Sequence, residues 1–254
     1  MKLTRSFNLF IFGLCLTSSL LFQSCQSTAS LTDILEKAGG ITGTPTNAEI
    51  SLGLKEALEK GTGVSSEKLA LEDGYLGNLD VKIFFPEEAK KVENTLRDLG
   101  LGSLCDQVIT SLNRAAEDAA KEAKPIFVNA IKQMTIQDVQ GILFGEQNAA
   151  TQFFQKTTTS ALSEKFSPVI NTSLQKVNAT KYWSDVMTRY NKIPLVKPIN
   201  TDLTSYVTEK AIQGLFIEIA KEELKIREQI GARTTPLLQK VFGYADRQKA
   251  LQKD

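Results

Sequence analysis

The sequence predicts an all-α domain, an irregular multi-helix bundle with one short extended segment near residues 81–85. Apolar residues recur at helical spacing almost continuously from residue 47 to residue 242. Good start and stop residues punctuate that pattern. Only LDVKIFFP, residues 79–86, alternates with the period of a strand.

The organisation is read in four parts. Residues 1–24 form an export signal: Lys2 and Arg5 open it, residues 9–22 are almost unbroken apolar, and the first acid is Asp33. About 14 apolar residues are short for a membrane span, which needs roughly 20. Residues 25–46 form a flexible tether, rich in Gly and Thr at GGITGTPT. Residues 47–243 form one helical domain, and residues 244–254 a polar tail expected to fray.

Within the domain, Asn47 is placed to cap a helix with the stripe Ile50, Leu54, Ala57 and Leu58, ended by Gly61. Pro86 ends the extended segment and starts a helix burying Ala89, Val92, Leu96 and Leu99, with Gly100 as left-handed cap. Ser103 and Asp106 read as a capping box for a long helix. Its stripe runs from Leu104, Cys105, Val108, Ile109 and Leu112 into Ala115, Ala116, Ala119, Ala120 and Ala123. Pro125 opens a helix with Phe127, Ala130 and Ile131, and Thr135 with Asp138 caps a short one. Residues 148–177 form the longest periodic run, with a kink or break expected near Ser167 because Pro168 follows. An aromatic helix around Tyr182, Trp183 and Tyr190 precedes a second long helix over 202–230. Pro236 opens a last short helix through Val241 and Phe242.

Composition excludes more chemistry than it suggests. The chain has no histidine, which removes Ser-His and Cys-His nucleophile pairs, histidine bases and the usual zinc sites. There is no GxGxxG, P-loop or EF-hand pattern, so no cofactor and no metal are expected. Loss of residues 1–24 removes Lys2 and Arg5 and no acid, leaving 28 basic against 29 acidic residues. That balance predicts no nucleic-acid partner.

The junction LLFQSC, with Cys25 after Ser24 and with Leu21 and Phe22 before it, resembles a bacterial lipoprotein signal. Gln23 and Phe22 depart from the strict pattern, so the match is to a relaxed form. The resemblance implies lipidation of Cys25, and Gln26 after it implies sorting to the outer membrane. Two or more acyl chains hold a protein stably on a bilayer. The alternative is ordinary secretion with cleavage after Ala29. With Cys15 in the signal and Cys25 lipidated, Cys105 stands alone and no intramolecular disulfide forms.

Five stretches resemble the bacterial family called domain of unknown function 4197. They are LNRAAE (112–117), AKPIF (123–127), YNKIP (190–194), YVTEKAIQGLF (206–216) and RTTPLLQKVFG (233–243). The resemblance runs from about residue 47 to 243. It implies a mainly helical envelope protein, often lipidated, and it implies no activity.

Four places carry the candidate chemistry. Cys105 sits on an apolar stripe and reads as a small buried hydrophobe. Thr208, Glu222 and Glu223 fall on or beside the apolar face of the second long helix, with Arg227 one turn beyond Glu223 as an ion-pair partner. A pair of carboxylates would suffice for glycosidase-like chemistry, but the sequence shows no separation for one. Tyr182, Trp183 and Tyr190 have the apolar bodies and polar tips of a binding patch, or pack into the core. Asn113 and Arg114 lie off their helix's apolar stripe and are expected in solvent or in salt bridges.

The leading expectation is a non-enzymatic binding or interaction protein, held by its lipid anchor on the periplasmic side of the outer membrane, or else soluble in the periplasm or secreted. Its partners would be the membrane and an envelope protein or lipid. The alternatives are a carboxylate-dependent enzyme on an envelope polymer such as peptidoglycan, and a lipid-binding bundle with an apolar cavity.

Overall fold

The computed structural model describes residues 43–192, Pro198 and residues 202–251, without the side chains of Tyr182, Asp185, Val186, Arg189 and Tyr190. The signal, Cys25 and nearly all of the tether lie outside the described residues. The helices are α1 (Asn47–Ala70), α2 (Lys90–Asp98), α3 (Gly102–Ala120), α4 (Ala123–Gln133), α5 (Ile136–Leu143), α6 (Ala149–Lys176), α7 (Ala179–Tyr190), α8 (Leu203–Glu228) and α9 (Pro236–Leu251). No strand occurs among the described residues.

The centre of the bundle is α6 against α8, with α3 packed on both and α1 on α3 and α8. The alanine half of α3 permits that approach, since Ala115, Ala116, Ala119 and Ala120 are almost fully buried. Around this centre, α4 lies on α1 and α6, α9 on α1, and α7 on α6 and α8. Phe127 of α4 meets Phe154 of α6 edge-on at 5.2 Å and Phe216 of α8 at 6.4 Å, joining three elements in one aromatic cluster. Helix α9 sits so close to α1 that a Cβ on Gly53 would come within 2.8 Å of Val241.

Several boundaries move from their sequence expectations. Thr46, not Asn47, caps α1 through a capping box with Glu49. Gly61 does not end that helix, which continues to Ala70. Beyond it, Thr62, Ser65 and Ser66 are buried and turn their hydroxyls back onto carbonyls one turn earlier, so the polar stretch stays helical inside the protein. Helix α3 begins at Gly102 without a side-chain cap, because Asp106 pairs with Arg97 instead. Pro168 does not break α6. It lies on the exposed side, where water can serve the carbonyl it leaves free, while Phe166, Ile170 and Leu174 anchor the opposite face.

Helix α2 buries no residue of its own, and Leu99 is 70 % exposed. Gly100 does take the left-handed conformation, with φ +80°. The amide of Leu101 then donates to Leu96 and that of Gly100 to Arg97, a Schellman ending. Of the tail expected to fray, residues 244–251 are the end of α9, and residues 252–254 lie outside the described residues. Ala245 is buried, Tyr244 packs edge-on against Phe144, and Lys249 reaches the Gly145 carbonyl.

The 81–85 segment keeps the alternation of a strand without a strand partner among the described residues. Val81, Ile83 and Phe85 are buried, whereas Phe84 is 46 % exposed. The role of a neighbouring strand falls to one side chain. The Asn113 amide accepts from the Ile83 N–H and donates to the Ile83 carbonyl, both at 2.8 Å. Asn113 is therefore fully buried, correcting its expected place in solvent.

Cys105 is buried, and burial pushes its thiol pKa up, outweighing the nearby Arg97, which lowers it. Thiol reagents are expected to leave it unmodified in the native protein and to label it on unfolding, as mass spectrometry with and without denaturant would read.

Candidate functional site

The buried carboxylates hold the bundle together. On α8, Glu223 accepts from the amides of Ala150 and Thr151 at 3.0 and 2.9 Å and from the Thr151 hydroxyl, covering the positive start of α6. Arg227 closes on the same carboxylate at 2.8 Å and donates to the Ile142 carbonyl near the end of α5. One ion pair thus finishes two helix ends where they meet. Glu222 lies apart from this group, half-buried and paired with Lys225. Thr208 is buried and bonds back to Thr204.

Three further acids, which the sequence did not single out, act alike. Glu49 meets Lys240, whose side chain is fully buried, at 2.8 Å. Burial raises the Glu49 pKa, but hydrogen bonds from Lys240 and Thr46 outweigh it and leave the carboxyl below its usual value. Glu117 accepts from the amides of Tyr75 and Leu76 and from Arg114 at 2.6 Å, pinning the turn in which Asp73 has φ +65°. Arg114 also pairs with Asp73, so its salt-bridge expectation agrees with the structure.

Glu218 takes Lys68 and Lys221 at 2.6 Å each and the Asn78 amide at 3.0 Å. Burial raises its pKa, and the bonds from Lys221, Lys68 and Asn78 overcome this and bring it to about 2. A depressed folded pKa means its stabilisation is complete above pH 4.5 and disappears as pH falls toward 2. Melting temperature should therefore drop across that window. Glu218→Gln should flatten the slope there, as thermal melts at stepped pH would show; an unchanged slope would contradict the assignment.

Trp183 is a core residue, 5 % exposed and tilted against Phe85 at 5.8 Å. The candidate binding patch loses its indole to the core, the alternative that the sequence also offered, and the side chains of Tyr182 and Tyr190 lie outside the description.

The open surface gathers along α8. Between α8 and residues 80–88 runs a groove of ≈ 700 Å³. Between α8 and α6 runs a second of ≈ 520 Å³, whose α6 wall is Gln155, Thr159, Ser163 and Ser167, one residue per turn. Ser205, Glu209 and Gln213 line both, so the two grooves form one recess divided by the exposed ridge of α8. Its polar lining mixes hydroxyls and amides with acids at Asp80, Glu87, Glu88, Asp202 and Glu209 and lysines at Lys82 and Lys210. Tyr206 stands in the first groove and donates to the Phe84 carbonyl at 3.0 Å. Burial, then the charges of Glu87, Glu88 and Glu209, push its phenol up to about 12. The apolar pocket beside Phe154 and Phe242 is only ≈ 30 Å³.

A family model described as protein of unknown function (DUF4197) matches residues 44–243. The chain belongs to this family. No curated protein and no solved structure matches it. The DUF4197 match spans every residue named in the recess. No group of acids or cysteines suited to holding a metal occurs among the described residues, and no described helix is long and apolar enough to cross a membrane.

Sequence reasoning reached Glu223 and Arg227 because they lie one helical turn apart. It passed over Glu49, Lys240 and Glu218, which have partners distant in the chain. The local signals were Glu49 three residues after Thr46, the spacing of a capping box, and Lys221 three residues after Glu218.

Proposed function

We propose that this DUF4197 chain is a non-enzymatic binding protein of the bacterial envelope, tethered through a lipid on Cys25, and that it takes its ligand in the α8 recess. The observation that carries this reading is the recess itself. Two open grooves share Ser205, Glu209 and Gln213 and present hydroxyls and amides along a rigid helix. Glu49, Glu218 and Glu223 are occupied in joining helices and Glu117 in holding the turn at Tyr75 and Leu76, which argues for binding over acid–base chemistry at those positions. The apolar pocket beside Phe154 and Phe242, at ≈ 30 Å³, is too small for an acyl chain.

The sorting signals at Cys25 and Gln26 support an outer-membrane position facing the periplasm, with the bilayer as one partner through the lipid. Cys25→Ser is expected to abolish fatty-acid labelling and release the protein from membrane fractions. Unchanged labelling and fractionation would end the tether reading.

The recess is tested by filling it. Gln213 is exposed and, among the described residues, its side chain bonds to Glu209 and Lys210, so Gln213→Trp should melt within about 2 °C of the wild type, as surface changes do. It should nevertheless fail to complement a deletion strain. Full complementation would remove the recess from the function.

A further inference from the structure

Where α2 turns into α3, the stretch LGLGSL, residues 99–104, exposes three large apolar side chains within six positions. Leu99, Leu101 and Leu104 are 70, 44 and 48 % exposed, and no other six consecutive described residues expose three. Helix α2 buries none of its own residues and packs chiefly on α3 and on the turn before it. The leucines therefore stand at the end of a helical hairpin, on the rim of the bundle.

The backbone of this end is largely satisfied within itself. Of the amides from Leu99 to Cys105, those of Leu99, Gly100, Leu101, Leu104 and Cys105 donate to carbonyls of residues 95–101. Backbone entering lipid must find its hydrogen bonds inside the protein, because the bilayer offers no water to replace them. An open loop would meet that cost, and this closed turn largely avoids it.

We infer that the α2–α3 end is a membrane-contact tip, whose three leucines enter the interfacial layer of a zwitterionic bilayer. The inference rests on the lipid-tether reading above and gives the domain a contact of its own with the same membrane. Residues 26–42, between Cys25 and the described domain, span up to about 60 Å when extended, and a domain of this size is about 40 Å across. The tether thus keeps every face of the domain within reach of the bilayer, and the apolar end is the one that gains by touching it. A second copy of the chain fits less well. The three leucines expose roughly 300 Å², against about 800 Å² per partner in a stable interface.

The lipid class follows from charge. Arg97 pairs with Glu93 and Asp106, and Asp98 is a third acid beside it, so one cation stands against three acids here. Lys90 and Lys91 lie at the far end of α2. Anionic headgroups would repel such an end, and zwitterionic ones do not. Three leucines hold a protein only weakly, so Cys25→Ser is still expected to leave the membrane fractions.

The test adds phosphatidylcholine vesicles to the mature chain made without signal or lipid, residues 26–254, and reads binding by cosedimentation. Replacing all three leucines together (Leu99→Ser, Leu101→Ser and Leu104→Ser) should weaken vesicle binding tenfold or more. The melt should stay within about 3 °C, as it does for changes at exposed positions. In Leu101→Trp, emission of the added indole should shift to the blue on vesicles and be quenched by brominated lipid. Trp183, 5 % exposed in the core, supplies a constant background. Replacing half of the lipid by phosphatidylglycerol should not tighten binding. Equal binding by the parent and the serine variant, or no binding at millimolar lipid, overturns the tip. Tighter binding with phosphatidylglycerol would assign the contact to a basic surface elsewhere and overturn it too. A blue shift that grows with protein concentration in the absence of vesicles would make the occupant a second copy and overturn the bilayer. If vesicle binding fails while Cys25 still takes fatty acid, the tip falls and the tether reading stands. If the leucines bind vesicles while Cys25 takes no fatty acid, the tether falls and the tip stands.

Discussion

Glu49→Gln should lower the melting temperature by on the order of 10 °C, because it takes a carboxylate away from a fully buried ammonium. The Lys240 side chain has no exposure, and the Glu49 oxygen lies 2.8 Å from its nitrogen. Breaking a buried pair from one side costs about 3–5 kcal/mol, and each kcal/mol moves a domain of this size by about 2–4 °C. Lys240→Met strips the other side and should cost a similar amount. Combining Glu49→Leu with Lys240→Met removes both charges and should melt above either single variant. It would still lose the capping box with Thr46, worth about 1 kcal/mol. Differential scanning calorimetry of the three variants decides this. Single variants melting with the wild type would mean that the pair does not join α1 to α9.

Glu222→Gln and Glu223→Gln change neighbouring residues in the same way and should differ sharply. Glu223 receives the first amides of α6 and the Arg227 guanidinium, which is itself buried. An amide there presents donors to donors and leaves Arg227 without a countercharge, at a cost of about 3 kcal/mol. Glu222 pairs with Lys225, which is 51 % exposed, and such pairs contribute about 0–1 kcal/mol. Thermal melts should place Glu222→Gln beside the wild type and Glu223→Gln several degrees below it. Complementation by Glu223→Gln should fall only as far as its folded population falls. A variant that melts normally and fails to complement would make Glu223 a functional carboxylate.

Helix existence was legible where the stripe and caps were both local. Thr135 with Asp138 caps its helix as the sequence suggests. Helix ends were less legible where burial overrode the breaker. Gly61 is a poor interior residue, but it lies 3.6 Å from the Glu222 Cβ if given a side chain, so α8 packs across it and the helix runs on. The same holds for the last helix, whose polar turns are held by Arg233 to Asp246 and by Lys249 to Gly145. Asn113 was misplaced because a wheel drawn on one helix cannot show an extended segment thirty residues away arriving to need both its donor and its acceptor.

By itself the sequence determined the all-α class, the alternation at 81–85, the burial of Cys105 and the absence of histidine chemistry, since each depends on residue type and on neighbours within two turns. The tertiary structure alone decided which charges are structural and where the surface opens. Glu49 and Lys240 stand 191 positions apart, Lys68 and Glu218 150, and Glu223 and Ala150 73. No periodicity couples residues at such separations. The recess along α8 arises likewise, from an extended segment and a helix brought side by side by Asn113, Tyr206 and the packing of Gly214 under Tyr75. Local pattern selects helices because their hydrogen bonds close within four residues. Pairing a buried charge or opening a groove depends on which faces meet, and only the folded chain decides that.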